Sequence, residues 1–148
     1  MPRTYHLGPA RRAVNVVVTA MLQIGIGATS AYLLTTTGRR TGRPRTTPVI
    51  LVETDGRRWL VSPYGDVGWV HNVRSRPEVS LRRGRSTQLL RAQETDAQTA
   101  GPILQRYVRQ APITAPFFDA GPDDPAAAFV AEAPRHPVFE VSPIRAGA

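Results

Sequence analysis

The chain has 148 residues and no cysteine, which excludes disulfides, thiol nucleophiles and thiolate metal sites. That length suits one domain, and 41% hydrophobic residues are enough for a folded core. The net charge is +8, all 19 basic residues are arginine, and the balance runs from +11 over residues 1–91 to −3 over residues 92–148, which points to an anionic ligand for the first part.

Pro9 to Ile24 reads as a helix. Pro9 suits a first turn, and Val14, Val17, Val18, Met21 and Leu22 recur at helical spacing. The stripe predicts packing on a core, with an interfacial membrane helix as the sharper alternative. The apolar run from Val14 to Ala31 is short for a span, and Gly25 and Gly27 interrupt it. No secretory signal is convincing, so a cytoplasmic protein is expected.

From Ala31 the period changes to that of strands. "AYLLTTTG" and "PRTTPVILVETDG" are strands, the second closed by the hairpin turn Asp55-Gly56. "RRWLVSPYG" returns. "DVGWVHNVRSR" reads as a short helix, with Asp66 as N-cap and Pro77 as stop. "EVSLRRG" and "RSTQLLRAQET" form a hairpin around Gly84-Arg85. "TDAQTAGPILQRYVRQ" is a helix capped by Thr95 or Asp96, in which Pro102 demands a break or a late start. Pro112 to Pro125 reads as a Pro/Gly-rich loop carrying Phe117 and Phe118. "DPAAAFVAEA" is a short helix, and "HPVFEVSP" is a final alternating strand. Six mostly antiparallel strands with helices around them predict a small β-barrel with helical decoration. A single domain is expected over 1–148: a helical segment 1–30, a barrel 31–142 and a tail 143–148.

The stretch "TTTGRRTGRPRTTPV" concentrates Arg39, Arg40, Arg43 and Arg45 between glycines. Glycines let backbone N–H groups approach a ligand closely, and guanidinium forks fit phosphate and carboxylate. On composition alone a solvated basic hairpin loop is an equal reading. Nucleic acid is not the expected partner, because no aromatic residue interleaves the arginines. Trp69 follows a glycine-bearing turn on a short helix and reads either as core or as part of a site; Tyr64 is a turn residue or a pocket wall. His6, His71 and His136 lack metal-ligand spacing, so no metal is expected.

Taken in order, "YLLTTTGRRTGRPRTTPV", "LVETDGRRWLVSPYG" and "GWVHNVRSRPEVSL" resemble the deazaflavin (F420)-dependent nitroreductase family of actinobacteria, and "APRHPVFEV" is similar to the end of its members. The resemblance covers roughly residues 10–142. It implies a mainly β (α+β) fold, the split β-barrel of flavin-binding oxidoreductases, with an N-terminal helix and peripheral helices. It implies coenzyme F420, with FMN as the alternative, and hydride transfer to a small apolar electron-poor acceptor such as an enone, quinone or nitro compound; a non-catalytic flavin, deazaflavin or lipid carrier of the same fold is the alternative reading. It carries cofactor contacts onto Arg39, Arg40, Gly42, Arg45, Thr46, Thr47, Pro48, Ser62, Trp69 and Asn72. Ser62, Tyr64 and His71 become candidate proton donors or pocket polar groups. A homodimer and a peripheral membrane contact through the N-terminal helix are further expectations. One departure stands out: many relatives carry lysine after the serine, and here the residue is Pro63. Arg74 is the candidate to supply the missing cation. The Phe117–Phe118 segment is expected either to cap an apolar pocket or to pack in the core.

Overall fold

The computed structural model describes residues 31–144. The expected helix over Pro9–Ile24, the glycines after it and His6 lie outside the described residues. Six strands close a barrel in the order β1-β2-β3-β6-β5-β4, every neighbouring pair antiparallel. They are β1 Ala31–Thr37, β2 Pro44–Thr54, β3 Arg57–Val61, β4 Glu78–Arg83, β5 Ser86–Glu94 and β6 Val138–Pro143. Helix α1 spans Gly68–Ser75, α2 Ala97–Gln110 and α3 Ala126–Glu132. The tight turns fall where the sequence put them. Asp55 and Gly56 both have positive φ, as a two-residue hairpin loop requires, and Gly84 has φ +60°.

The run "VILV" in β2 explains how the barrel and helices share one sheet. Val49 and Leu51 face the barrel interior with Leu34, Leu60, Leu81, Leu90, Phe139 and Val141. Ile50 and Val52 face the opposite way and are buried with Trp59, Val61, Val138 and the helical residues Ile103, Leu104, Tyr107 and Phe129. A strand buried on both faces loses its alternation and reads as a continuous apolar run. β5 keeps the alternation: Leu90 and Ala92 are buried while their neighbours are exposed.

Three expectations need correction. Asp66 does not cap α1; Val67 stands at the N-cap with no side-chain bond, and Asp66 instead pairs with Arg74 at 3.1 Å. Pro102 neither breaks nor delays α2, which runs from Ala97 through it to Gln110. Asp96 caps the helix by accepting from the Thr99 N–H at 2.8 Å. Pro102 and Gln98 lie on the exposed side, so the carbonyl that the proline cannot satisfy faces water. Pro112–Phe117 is a 3₁₀ helix rather than an open loop. Its Thr114 hydroxyl donates to Ala111 C=O at 2.7 Å.

Helices α2 and α3 touch at Gly101. A Cβ there would lie 2.3 Å from Val130 Cγ2 and 3.0 Å from the Ala126 carbonyl. Gly101→Ala gains helix propensity of about 1 kcal/mol, but the clash costs more when a backbone carbonyl is one of the partners. The expected net result is a loss of about 1 kcal/mol of stability. It should be read as a lower urea midpoint at unchanged m-value; a raised midpoint would refute the tight packing.

Candidate functional site

The strand directions gather the sequence-predicted residues at one end of the barrel. β1 and β3 run toward that end, and β2 and β6 start from it. The Gly38–Arg43 loop, the Ser62–Val67 turn, α1 and the His136–Pro137 entry to β6 therefore lie together. The Asp55–Gly56 and Gly84–Arg85 turns lie at the other end. The fold thus divides the basic first part of the chain, leaving Arg39, Arg40, Arg43 and Arg45 at the site end and Arg82, Arg83 and Arg85 opposite.

The arginine loop is held by its own backbone and by one buried side chain. Gly38 N–H donates to Arg43 C=O and Gly42 N–H to Gly38 C=O, both at 2.8 Å. Gly42 has φ +72°, which favours glycine. A Cβ on Gly38 would sit 3.1 Å from the Arg43 carbonyl. Asn72, 5% exposed, ties α1 to the loop. Its Oδ1 accepts from the Arg39 backbone N–H at 3.1 Å and from the Arg39 guanidinium at 3.4 Å, while its amide donates to Thr36 Oγ1 at 3.1 Å.

Four arginines elsewhere meet carboxylates: Arg57 with Glu140 at 2.6 Å, Arg135 with Asp119 at 2.7 Å, Arg74 with Glu94 at 2.8 Å and Arg91 with Glu78 at 3.7 Å. Among the described residues none of Arg39, Arg40, Arg43 and Arg45 has such a partner, and all four are exposed. Arg74 does not replace the missing lysine. It is engaged by Glu94 and Asp66, and the hydrogen bond to Glu94 raises its pKa further.

The remaining candidates surround this loop in distinct roles. Thr46 and Thr35, directly opposite each other, share a hydroxyl hydrogen bond of 2.8 Å. Thr47 and Pro48 are half-buried on β2 opposite Leu34 and Leu33. Trp69 is half-buried against the barrel mouth, its ring 5.6 Å from that of Phe139. Ser62 is wholly buried; its hydroxyl donates to Gly65 C=O at 2.6 Å and its N–H to Pro137 C=O at 2.9 Å. The Ser62 hydroxyl thus shapes the turn. Tyr64 is half-buried and meets Phe117 edge-on at 4.7 Å. His71 is half-buried on α1. Phe117 is half-buried against Tyr64, while Phe118 packs in the core, stacked on His136 at 4.0 Å.

Sequence reading missed the group behind this wall. Glu132 and His136 are each 3% exposed. His136 Nε2 lies 2.8 Å from Glu132 Oε1, and Nδ1 lies 2.9 Å from Pro63 C=O. Glu132 also accepts from the Asp119 and Ala120 backbone N–H groups at 3.1 and 2.8 Å. Burial pushes the His136 pKa below 6.5, against the opposing pull of Glu132 and the Pro63 carbonyl. Because desolvation of the charge outweighs the hydrogen bonds that protonation completes, stability falls as pH drops from 6.5 through the lower folded value. The signal in the sequence was the Glu-to-His spacing of four in "EAPRH" just ahead of a strand.

A closed six-stranded antiparallel barrel with a few helices packed on it is a split-barrel fold. Residues 9–119 match the F420H(2)-dependent quinone reductase family, and the chain belongs to that family. It is an F420-dependent oxidoreductase that passes hydride to quinone-like acceptors, and F420 is its coenzyme. Solved structures share the fold. An F420-H2 dependent reductase is 24% identical with a TM-score of 0.54, covering 76% of this chain and 94% of its own. A protein described as a domain-swapped dimer is 22% identical with a TM-score of 0.55, covering 90% and 99%. An FAD-binding protein from Mesorhizobium loti is 14% identical with a TM-score of 0.51, covering 83% and 87%. Among the described residues no helix is long and apolar enough to cross a membrane, and no cluster of acidic or histidine side chains could hold a metal ion.

Proposed function

We propose that Arg39, Arg40 and Arg45, with the Gly42 turn, hold the anionic tail of F420, and that the ring lies against Thr46, Thr47, Pro48 and the Ser62–Tyr64 turn. The observation that carries this reading is the set of exposed arginines without carboxylate partners at the one barrel end where the other candidate residues gather. Such donors fit a phosphate and carboxylates without first breaking an ion pair. Asn72 fixes the loop's backbone, so the cradle is organised before ligand arrives.

Reduced F420 supplies a hydride when bound. The protein's own share is to orient and to exclude water. Trp69 on Phe139 closes the barrel mouth, and the Tyr64–Phe117 pair forms an apolar wall suited to a flat, electron-poor acceptor. The acceptor class is quinone-like, with enones and nitro compounds as further members. Tyr64 and His71 are the groups able to give a proton to the reduced acceptor. Ser62 acts through the turn it shapes. A homodimer is part of the same reading, supported by the dimeric relative of this fold.

Equilibrium binding of F420, followed by fluorescence at two salt concentrations with FMN as comparator, tests the reading. Tight F420 binding that weakens with salt is the expected result. Salt-independent binding would remove the arginine cradle.

A further inference from the structure

The Glu132–His136 pair has a proton balance that its geometry fixes. Pro63 C=O can only accept, so a hydrogen bond at 2.9 Å needs a proton on His136 Nδ1. Glu132 Oε1, at 2.8 Å from Nε2, already accepts from the Asp119 N–H, and Oε2 accepts from Ala120 N–H. A second proton must therefore lie between Nε2 and Oε1. The site is fully bonded only when the pair holds both protons, as imidazolium and carboxylate or as imidazole and carboxylic acid. With one proton withdrawn, the imidazole can serve only one of the two oxygens. The carboxylate is the stronger acceptor, so the remaining N–H stays on Nε2. The Nδ1 lone pair then faces the Pro63 carbonyl, and that bond becomes a repulsion.

What the Pro63 bond holds is the turn beside the candidate ring site. Ser62 N–H and hydroxyl are tied to Pro137 and Gly65, and a Cβ on Gly65 would be 3.5 Å from the Arg135 carbonyl. Tyr64 follows Pro63 directly and packs on Phe117. Phe118 stacks on the His136 ring, and Glu132 anchors the two backbone N–H groups just after Phe118. One buried pair thus grips both partners of the aromatic wall. The charged groups against it are Arg135, whose guanidinium is 3.9 Å from Glu132 Oε1, and Asp119, which holds Arg135 at 2.7 Å. Phe118 supplies a neutral face, and the turn supplies only the carbonyl.

We propose that Glu132 and His136 are positioning residues that clamp the Ser62–Gly65 turn, and with it the Tyr64–Phe117 wall, while they share two protons, and that loss of one proton to solvent releases the turn. The consequence for catalysis rests on the placement of the ring beside this turn. The clamp itself does not. What the turn offers inward at this position is the Pro63 carbonyl.

The test is ¹⁵N NMR of the whole chain, without cofactor, across pH. At low pH Nδ1 should report protonation, with Nε2 either protonated or accepting from a neutral carboxyl. As pH rises Nδ1 should move to the unprotonated range while Nε2 ends protonated, and the Tyr64 and Gly65 amide signals should move with the same midpoint. Proton loss from Nε2 instead, or still Tyr64 and Gly65 amides, would overturn the clamp, and this wild-type result decides without any variant. In the loaded enzyme the acceptor KM should rise roughly three- to tenfold through the same midpoint, the worth of one neutral hydrogen bond, with kcat little changed. An intact NMR transition with a flat KM would instead overturn the placement of the ring beside the turn.

Discussion

Replacing Arg39, Arg40 and Arg45 together with alanine is expected to weaken F420 binding about a hundredfold, at about 1 kcal/mol for each exposed charge-assisted contact. Each arginine is solvent-exposed and none is bonded to a carboxylate among the described residues. Their removal should therefore leave the fold intact, and thermal unfolding of the triple variant serves as the control. The comparison that isolates the tail is a deazaflavin ring without phosphate or glutamates. Its affinity should fall far less than that of F420, and the salt dependence of F420 binding should flatten in the variant. Equal losses for both ligands would remove the tail from these arginines. Arg43 offers an internal comparison: it is equally exposed, and its backbone rather than its side chain holds the loop. If Arg43→Ala weakens F420 as much as any member of the triple, the loop acts as a diffuse positive field rather than as a set of contacts.

The sequence made the strands and their hairpins legible because local chemistry fixes them. Asp55-Gly56 and Gly84-Arg85 are turns whose backbone conformation glycine supplies, and β1, β5 and β6 carry patterns that match their burial. The arginine loop was legible for the same reason, since four charges and two glycines lie in one short stretch. Other features depend on contacts between distant segments. Asp66 looks like a helix cap in the sequence, but Arg74, two turns along α1, competes for it and brings Glu94 of β5 into the same cluster. Arg74 looked available for an anion until Glu94, twenty residues on, claimed it. Ser62 reads as a free hydroxyl beside a turn, yet its partner is the carbonyl three residues later. The Glu132–His136–Pro63 group spans residues 63 to 136 and exists only because β3 and β6 pair, with Val61 opposite Val138.

Asn72 separates two roles that the arginine variants cannot, because it sits beneath the loop rather than in the ligand's path. It is buried, accepts from the Arg39 N–H and donates to Thr36. Asn72→Leu removes both bonds and leaves the Arg39 N–H and the Thr36 hydroxyl without them. The expected cost is roughly 1–3 kcal/mol of stability, and F420 affinity should fall with the loosened loop. Asn72→Asp behaves differently. Its carboxylate still accepts from Arg39 N–H, and the Thr36 hydroxyl can turn to donate to it, so the loop stays bonded. It also places a negative charge beneath a site that receives an anion and draws the Arg39 guanidinium, now 3.4 Å from Oδ1, inward. At a separation of ~9 Å and an effective dielectric of ~20 the repulsion is roughly 1–2 kcal/mol, about tenfold in Kd. The affinity of the tail-less ring should change little. Asn72→Asp is therefore expected to unfold close to the wild-type midpoint while losing F420, and Asn72→Leu to lose both. If Asn72→Asp binds F420 as tightly as the wild type, the anionic tail lies away from Arg39, and the cradle shifts to Arg40, Arg43 and Arg45.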